Sequence, residues 1–549
     1  MRGSTRVKFG AAIAALALAA TAACSTDSDD PEPDSSAAPG AGKKGGSITV
    51  QLGEPQHGLV PTNTSESEGN EVLNALFAGL VDYDIDTNKP ENRVAESITS
   101  ADNKVWTIKI KPDYTFHNGE KVTASSFVDS WNYGANQKNA QEAIPFFDKI
   151  EGSDELAPGE GKEPTAETLK GLKVIDETTF EVTLKVPFAQ FPSMLGYNAY
   201  YPVPKAFFAD PKAFDDAPIG NGPFMMDGKW EHNQQIKVKR YEGFPDHDGK
   251  ALLDAVTFKI YEKLDTAYND LRAGAIDITD KLPVSAMGTV QKDFPGRTSS
   301  VAESSIGYIG FPLATNPIYA NPDLRKAISM AIDRKTLNDK IFSGTRPPAD
   351  DFVSPIIPGY RQGICGEACT YNPQAAKDLY AKAGGLPGNK LEIGYNTDGG
   401  HKDWIEAVGN MLKDNLGIDV TPRPFEKFGA ILDALDQKQF SGAFRMGWTM
   451  DYPSIENYLR PIFSKIAIQN GSNHAGYVNE DFEAALAAAD VKQGDEGIAA
   501  YQAASDILLK DLPYIPVFFY MSSNAWSDRV TNVRIDAQNR MRLDLVSLT

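Results

Sequence analysis

The sequence predicts a protein of mixed α/β or α+β class, divided into two or three subdomains. Three observations predict it. Segments with apolar residues at every second position alternate with segments whose apolar residues recur every three or four, so strands and helices interleave along the chain. At 549 residues the chain is too long to fold around one core. Its hydrophobic content of 41% and charged content of 23% are those of an ordinary globular protein.

The first expected element is the strand Ser47–Leu52, where folding should begin. Residues 105–111 alternate with period two between Asn103 and Pro112, the bounds of a strand. Residues 179–185 repeat the pattern and end before Pro187, which cannot donate to a sheet ladder. Gln235–Arg240 and Ala255–Ile260 read as further strands. Asn321 is placed to cap a helix with Pro322 at its first position, and Leu324, Ala327, Ile328, Ala331 and Ile332 fall on one face. Residues 494–510 carry Ile498, Tyr501, Ala504 and Leu508 as a second helical stripe, stopped by Pro513. Both stripes read as core. Residues 515–520 return to strand character. Asp82, Asp84, Asp86 and Asn88 begin like a calcium loop, but Thr87 and Arg93 stand where that loop needs Gly and a bidentate acid. The segment is read as an acidic hairpin turn.

Arg2, Arg6 and Lys8 precede an apolar run over residues 10–23. The run is shorter than the roughly 20 apolar residues a membrane-spanning helix needs, and residues 1–23 read as a cleaved secretory signal. Thr21-Ala22-Ala23 is small enough for a signal peptidase, and Cys24 follows. The pattern resembles a bacterial lipoprotein box, with Thr21 where Leu or Val is usual; lipidated Cys24 would be the new N-terminus. The alternative is an ordinary signal peptide cleaved elsewhere. Residues 24–46 hold no aliphatic residue larger than Ala, so they cannot offset their ordering entropy and read as a flexible tether. The expected location is the extracellular face of the cytoplasmic membrane, reached only through the lipid anchor.

A net charge of −20 argues against nucleic acid or anionic lipid as a partner. Cys365 and Cys369 stand four apart; in an oxidising compartment a local disulfide is expected, with two free thiols as the alternative. No His or further Cys lies near to make them a metal site. The six histidines are scattered, and His-Glu-x-x-His, Gly-x-Ser-x-Gly and the Walker pattern are all missing. Gly220-Asn221-Gly222 begins like a dinucleotide loop, but Pro223 follows. Neither catalysis nor a metal or cofactor is expected.

Four stretches carry a family resemblance. They are Ala95-Glu-Ser-Ile-Thr-Ser-Ala-Asp-Asn-Lys-Val-Trp106 running on to His117-Asn-Gly119 and residues 122–127; Ile219-Gly-Asn-Gly-Pro-Phe224; Asn321-Pro-Asp-Leu-Arg-Lys-Ala-Ile-Ser-Met-Ala-Ile-Asp333; and Met446-Gly-Trp-Thr-Met-Asp-Tyr-Pro453. In this order and spacing the chain resembles the peptide/nickel-binding family 5 of extracellular solute-binding proteins, which serve ABC importers. The resemblance runs from about Ser47 to the C-terminus. It implies an α/β, two-lobed, periplasmic-binding-protein-like clamshell with an extra domain inserted in the first lobe. Lobe one would take residues 47–77, 202–302 and 525–549, the insert 78–201, and lobe two 303–524. The ligand would be an oligopeptide, the partner an ABC permease, and the protein a monomer that binds rather than catalyses.

The resemblance also implies site residues. Asp451, after Gly447-Trp448-Thr-Met, matches the residue that meets a peptide's ammonium terminus; its alternative is a helix cap. Arg445 matches a residue that meets the peptide carboxylate; its alternative is a structural ion pair, for instance with Asp451. Trp448 is either ligand wall or core. Phe518 and Tyr520 share one face of the last strand and are expected to line the cleft. Ser65, beside Glu66, falls at an acidic ligand-contacting position, and Phe428 is a further aromatic wall. Relatives with this fold that bind nickel complexes, haem or β-linked oligosaccharides keep those ligands as alternatives, and a peptide sensor or an extracellular peptidase are alternatives of another class.

Overall fold

The computed structural model describes residues 42–549 apart from Glu160, Lys250, Asp398, Gly399, Gly471 and Ala537. The expected signal segment, Cys24 and most of the expected tether lie outside the described residues.

A mixed sheet of 10 strands runs through both lobes. Its first part holds Asp419–Phe425, Lys390–Asn396 and Ala443–Trp448; its last part holds Ile278–Thr279, Ser47–Leu52, Ala255–Ile260, Gln235–Arg240 and Phe224–Met226. Between them lie Thr298–Gly310 and Tyr514–Trp526, each 13 residues long and paired antiparallel. Their pairing shifts register between Ala302 and Ile306, a bulge that bends the ladder where one part passes into the other. Gly307 lies just beyond, where an added Cβ would sit 2.4 Å from the Phe518 ring.

Amphipathic helices bury their apolar stripes on this sheet. Lys402–Leu416 turns Trp404, Ile405, Val408 and Leu412 inward, and Ser67–Leu76 turns Val72, Leu73 and Leu76. Asn321 caps Pro322–Met330 by accepting from the Asp323 amide at 3.0 Å. In Gly494–Asp511, Tyr501, Ala504 and Leu508 are buried, whereas Ile498 is only partly so. The result is a two-lobed α/β fold.

A separate antiparallel sheet of 4 strands, Ala95–Thr99, Val105–Ile110, Thr179–Thr183 and Leu172–Val174, packs with the helix Ala124–Ala135. Trp131, fully buried, sets its ring edge-on to Phe180 and Tyr200 and donates to the Tyr200 carbonyl at 3.0 Å. The segment after Val81–Tyr83 is a hairpin turn: Asp84 accepts from the Thr87 amide at 2.7 Å. Cys365 and Cys369 form a disulfide with Cα atoms 5.5 Å apart.

The Gly220-Asn221-Gly222 stretch is a joint. Asn221 accepts from the Ala78 amide at 3.0 Å and donates to the Ala78 carbonyl at 2.9 Å, replacing a strand neighbour. The flanking glycines allow this approach, since a Cβ on Gly220 would lie 1.9 Å from the Leu76 carbonyl. His117 completes the joint. Its Nδ1 accepts from the Gly220 amide at 3.1 Å, so the proton sits on Nε2, 3.2 Å from the Gly222 carbonyl. Burial pushes this imidazole down to about 4. In the unfolded chain an ordinary histidine, near 6.5, takes up a proton that the folded one refuses. Stability is therefore full above pH 6.5 and falls as pH drops towards 4, by about 1–2 kcal/mol between pH 7 and 5 from this group. Denaturation midpoints at the two pH values should differ less in His117→Gln than in wild type; equal shifts would contradict the assignment.

Candidate functional site

Lys390–Asn396, Asp419–Phe425 and Ala443–Trp448 are parallel strands. The chain passes from the middle strand to one side, then back across to the other. A crevice opens at the carboxyl ends beside such a switch. Asn396 and Trp448 end two of these strands and line a cavity of about 520 Å³ there. Glu303 and Ser305, freed from pairing by the bulge, line it too.

Arg445 is its centre. It is 8% exposed and donates from Nη1 to Asn396 Oδ1 and from Nη2 to the Tyr520 hydroxyl, both at 3.1 Å. Its Nε is buried without a partner. Its guanidinium carbon lies 5.9 Å from the Phe428 ring centre. No carboxylate pairs with it among the described residues, so a buried cation is left with neutral hydrogen-bond partners, an arrangement that favours an anionic ligand. The Arg346 guanidinium sits 3.7 Å from the centre of the Tyr520 ring, adding a second positive group behind the wall. His401, in the same cavity, accepts at Nδ1 from the Trp404 indole at 3.1 Å, which leaves the ring proton on Nε2. Burial raises the Glu303 carboxyl, against the pull of Arg346 and Lys281.

A second cavity, of about 300 Å³, is lined by Phe146, Lys149, Met194, Trp448, Asp451 and Asn457, among others. Trp448 belongs to both cavities, and its indole N–H is buried without an acceptor. Asp451 is half-buried. Its backbone N–H donates to Asn457 Oδ1 at 2.8 Å, its Oδ2 accepts from Asn457 Nδ2 at 2.9 Å, and its carbonyl accepts from Gln538 at 2.9 Å. Burial pushes its carboxyl up to about 6; the Asn457 bond opposes that and Glu456 adds to it. It does not cap the following helix, whose N-cap is Ile455, and forms no ion pair with Arg445. Tyr197 stacks on Phe146 with ring centres 4.4 Å apart. Burial, then the carboxylates of Asp451 and Glu66, push its hydroxyl up.

Two expected positions are corrected. Phe518 is 2% exposed and packs against Phe342, Trp404 and Tyr520, so it supports the wall without lining it. Ser65 is exposed and lines neither cavity; its neighbour Glu66 points inward, with Oε2 buried and unpartnered. Arg445, Trp448, Tyr520 and Phe428 are brought together, and Asp451 sits across Trp448 from them. Sequence reasoning missed Asn396, His401, Asn457 and Gln538. Only Asn396 left a signal, as the last residue of a strand beside a switch point.

The family model for bacterial extracellular solute-binding proteins, family 5, matches residues 89–470. The oligopeptide-binding protein OppA of Bacillus subtilis is 24% identical over 503 residues, covering 88% of this chain and 89% of that one. The periplasmic oligopeptide-binding protein OppA of Escherichia coli is 28% identical over 498 residues, covering 86% and 89%. The solved structure of Haemophilus influenzae OppA, in complex with the peptide RPPGFSPFR, superimposes with a TM-score of 0.71 at 24% identity, covering 93% and 99%.

Proposed function

The chain belongs to the bacterial extracellular solute-binding proteins of family 5, and we propose that it captures oligopeptides between its lobes and delivers them to the transmembrane subunits of an ABC permease. One observation carries the reading: a cavity built on an arginine with no carboxylate partner among the described residues and a cavity holding a half-buried aspartate meet at Trp448. A free peptide carries a carboxylate at one end and an ammonium at the other. Arg445, with His401 beside it, is suited to the first; Asp451 is suited to the second. The unpartnered Trp448 N–H is suited to a peptide carbonyl between them. Contacts of this kind recognise the peptide main chain whatever its side chains, and water can fill the remaining volume around each side chain. The relatives named for oligopeptide binding support the same reading.

The proposal includes the division into lobe one (47–77, 202–302, 525–549), insert (78–201) and lobe two (303–524). Separate apolar clusters around Val50 and Phe258, around Trp131 and Phe180, and around Trp404 and Phe444 support it. It also includes a monomer tethered through lipidated Cys24 at the extracellular face of the membrane; the signal-like leader supports that part. Among the described residues no helix is long and apolar enough to cross a membrane.

Calorimetric titration with a mixed tri- to pentapeptide library and its N-acetylated copy tests the reading, after any co-purified ligand is stripped. Free peptides should bind, and acetylation should abolish most of the heat. Binding that survives acetylation would remove Asp451 as the anchor. No heat with either library would overturn the peptide reading and leave oligosaccharides or metal complexes.

A further inference from the structure

We infer that Asn457 is a positioning residue that holds one carboxylate oxygen of Asp451 so that the other meets the ligand's ammonium group. The inference rests on the peptide reading above. Asn457 stands in the first turn of the helix Glu456–Phe463 and is 1% exposed. Its amide spans Asp451 at two points: Oδ1 takes the backbone N–H at 2.8 Å and Nδ2 binds Oδ2 at 2.9 Å. That two-point contact fixes backbone and side chain relative to each other. Asp451 Oδ1 has no hydrogen-bond partner among the described residues.

The backbone of Asp451 is held independently. Gln538, from the C-terminal segment, binds the Asp451 carbonyl at 2.9 Å. Tyr452, the next residue, is 4% exposed and packs into the apolar cluster around Trp131. Loss of Asn457 would therefore leave the main chain seated and free the carboxylate to turn about its own bonds. The chemistry of the partner also matters. A neutral amide donor favours the ionised carboxylate without cancelling its charge, whereas an arginine or lysine here would satisfy the anion before any ligand arrived. The neighbouring Arg460 is already engaged, with Glu456 at 2.7 Å and with Asp490.

Charged and titratable groups face Asp451 from each element around it. Glu456 comes from the helix that follows, Asp148 and Lys149 from the segment across the cavity, and Tyr197, Tyr200, Tyr452 and Tyr458 from the walls. Of these, Glu456 opposes ionisation and Asn457 favours it. Removing the amide donor should thus shift the pH at which ammonium recognition is lost, an effect that mere loosening of the helix would not produce.

The test titrates the full chain, wild type, Asn457→Ala and Asn457→Asp, with the tri- to pentapeptide library and its N-acetylated copy between pH 5 and 8. In Asn457→Ala the preference for free over acetylated peptides should shrink about tenfold, the scale of one charge-assisted hydrogen bond. The pH of half-maximal preference should rise by roughly one unit. Asn457→Asp keeps the shape and the acceptor for the Asp451 N–H but sets a second carboxylate against Oδ2. It should lose the preference at pH 7, and it decides the matter if Asn457→Ala does not fold. A wild-type preference and pH midpoint in the variants would overturn the role of Asn457 while leaving the peptide reading intact. A wild type that binds both libraries equally would remove Asp451 as the anchor and the role of Asn457 with it, and a wild type that binds neither would overturn the peptide reading itself.

Discussion

Asp451→Ala is expected to weaken binding of free-amine peptides by about 2–5 kcal/mol, because the ligand's ammonium would be enclosed with no counter-charge. The wild-type carboxyl, pushed up to about 6 by burial, adds a pH signature. Only the ionised form attracts the ammonium, so wild-type affinity should be highest above pH 6. It should fall as pH drops below that value, by at most about tenfold per unit for one group. The variant should show a flat profile over the same range. Calorimetry at pH 7.5 and 5 reads both effects, and an unchanged affinity in the variant would remove Asp451 from the site.

The second large effect concerns the joint at Asn221. Asn221→Ala is expected to cost about 2–4 kcal/mol of stability, since two buried backbone groups each lose their partner. Asn221 is fully buried, and its amide pairs with both polar groups of Ala78. Water cannot replace it without disturbing the Gly220 and Gly222 approach, where the backbones are in contact. The midpoint of urea denaturation measures the loss. A change below about 1 kcal/mol would mean that the surrounding packing, not the amide, holds the two segments together.

The elements most legible in the sequence were those whose local chemistry and tertiary role agree. Gln235–Arg240 and Ala255–Ile260 are edge-side strands with one face buried, so their alternation is visible. Asn321 announces a helix start because an amide oxygen there satisfies a free N–H. The failure at Phe518 has an equally physical cause. Alternation tells which residues share a face but not which face meets the core, and a central strand hides both. Tyr514–Trp526 is buried along nearly its whole length; only Tyr520 and Met521 interrupt the buried run, opposite the bulge. Phe518 and Tyr520 therefore share a face but not an environment.

The polar half of the site was less legible. Asn396, Asn457 and Gln538 are single amide side chains; Asn396 is marked only by its place at a strand end, and nothing in the sequence marks the other two. They matter because the fold returns distant stretches to the same place: Asn396 lies 49 residues from Arg445, and Gln538 lies 87 from Asp451. The Gly-Asn-Gly and His-Asn-Gly stretches that carried the family resemblance proved to be structural. Asn221 and His117 serve the joint at Ala78 and Gly220 and stand in neither cavity wall. A family signature can thus report how lobes are fastened while saying little about what they hold.

The bulge between Ala302 and Ile306 has a consequence for how such a protein can diverge. Glu303, Ser305 and Tyr520 belong both to the strands that bridge the two parts of the great sheet and to the wall of the cationic cavity. A substitution that retunes ligand preference at these positions also alters the compliance of the bridge, and one selected for faster opening also redraws the wall. Taste and gait are inherited together at this crossing, whereas positions such as Phe428, outside the bridging strands, can drift towards new ligands without a mechanical penalty.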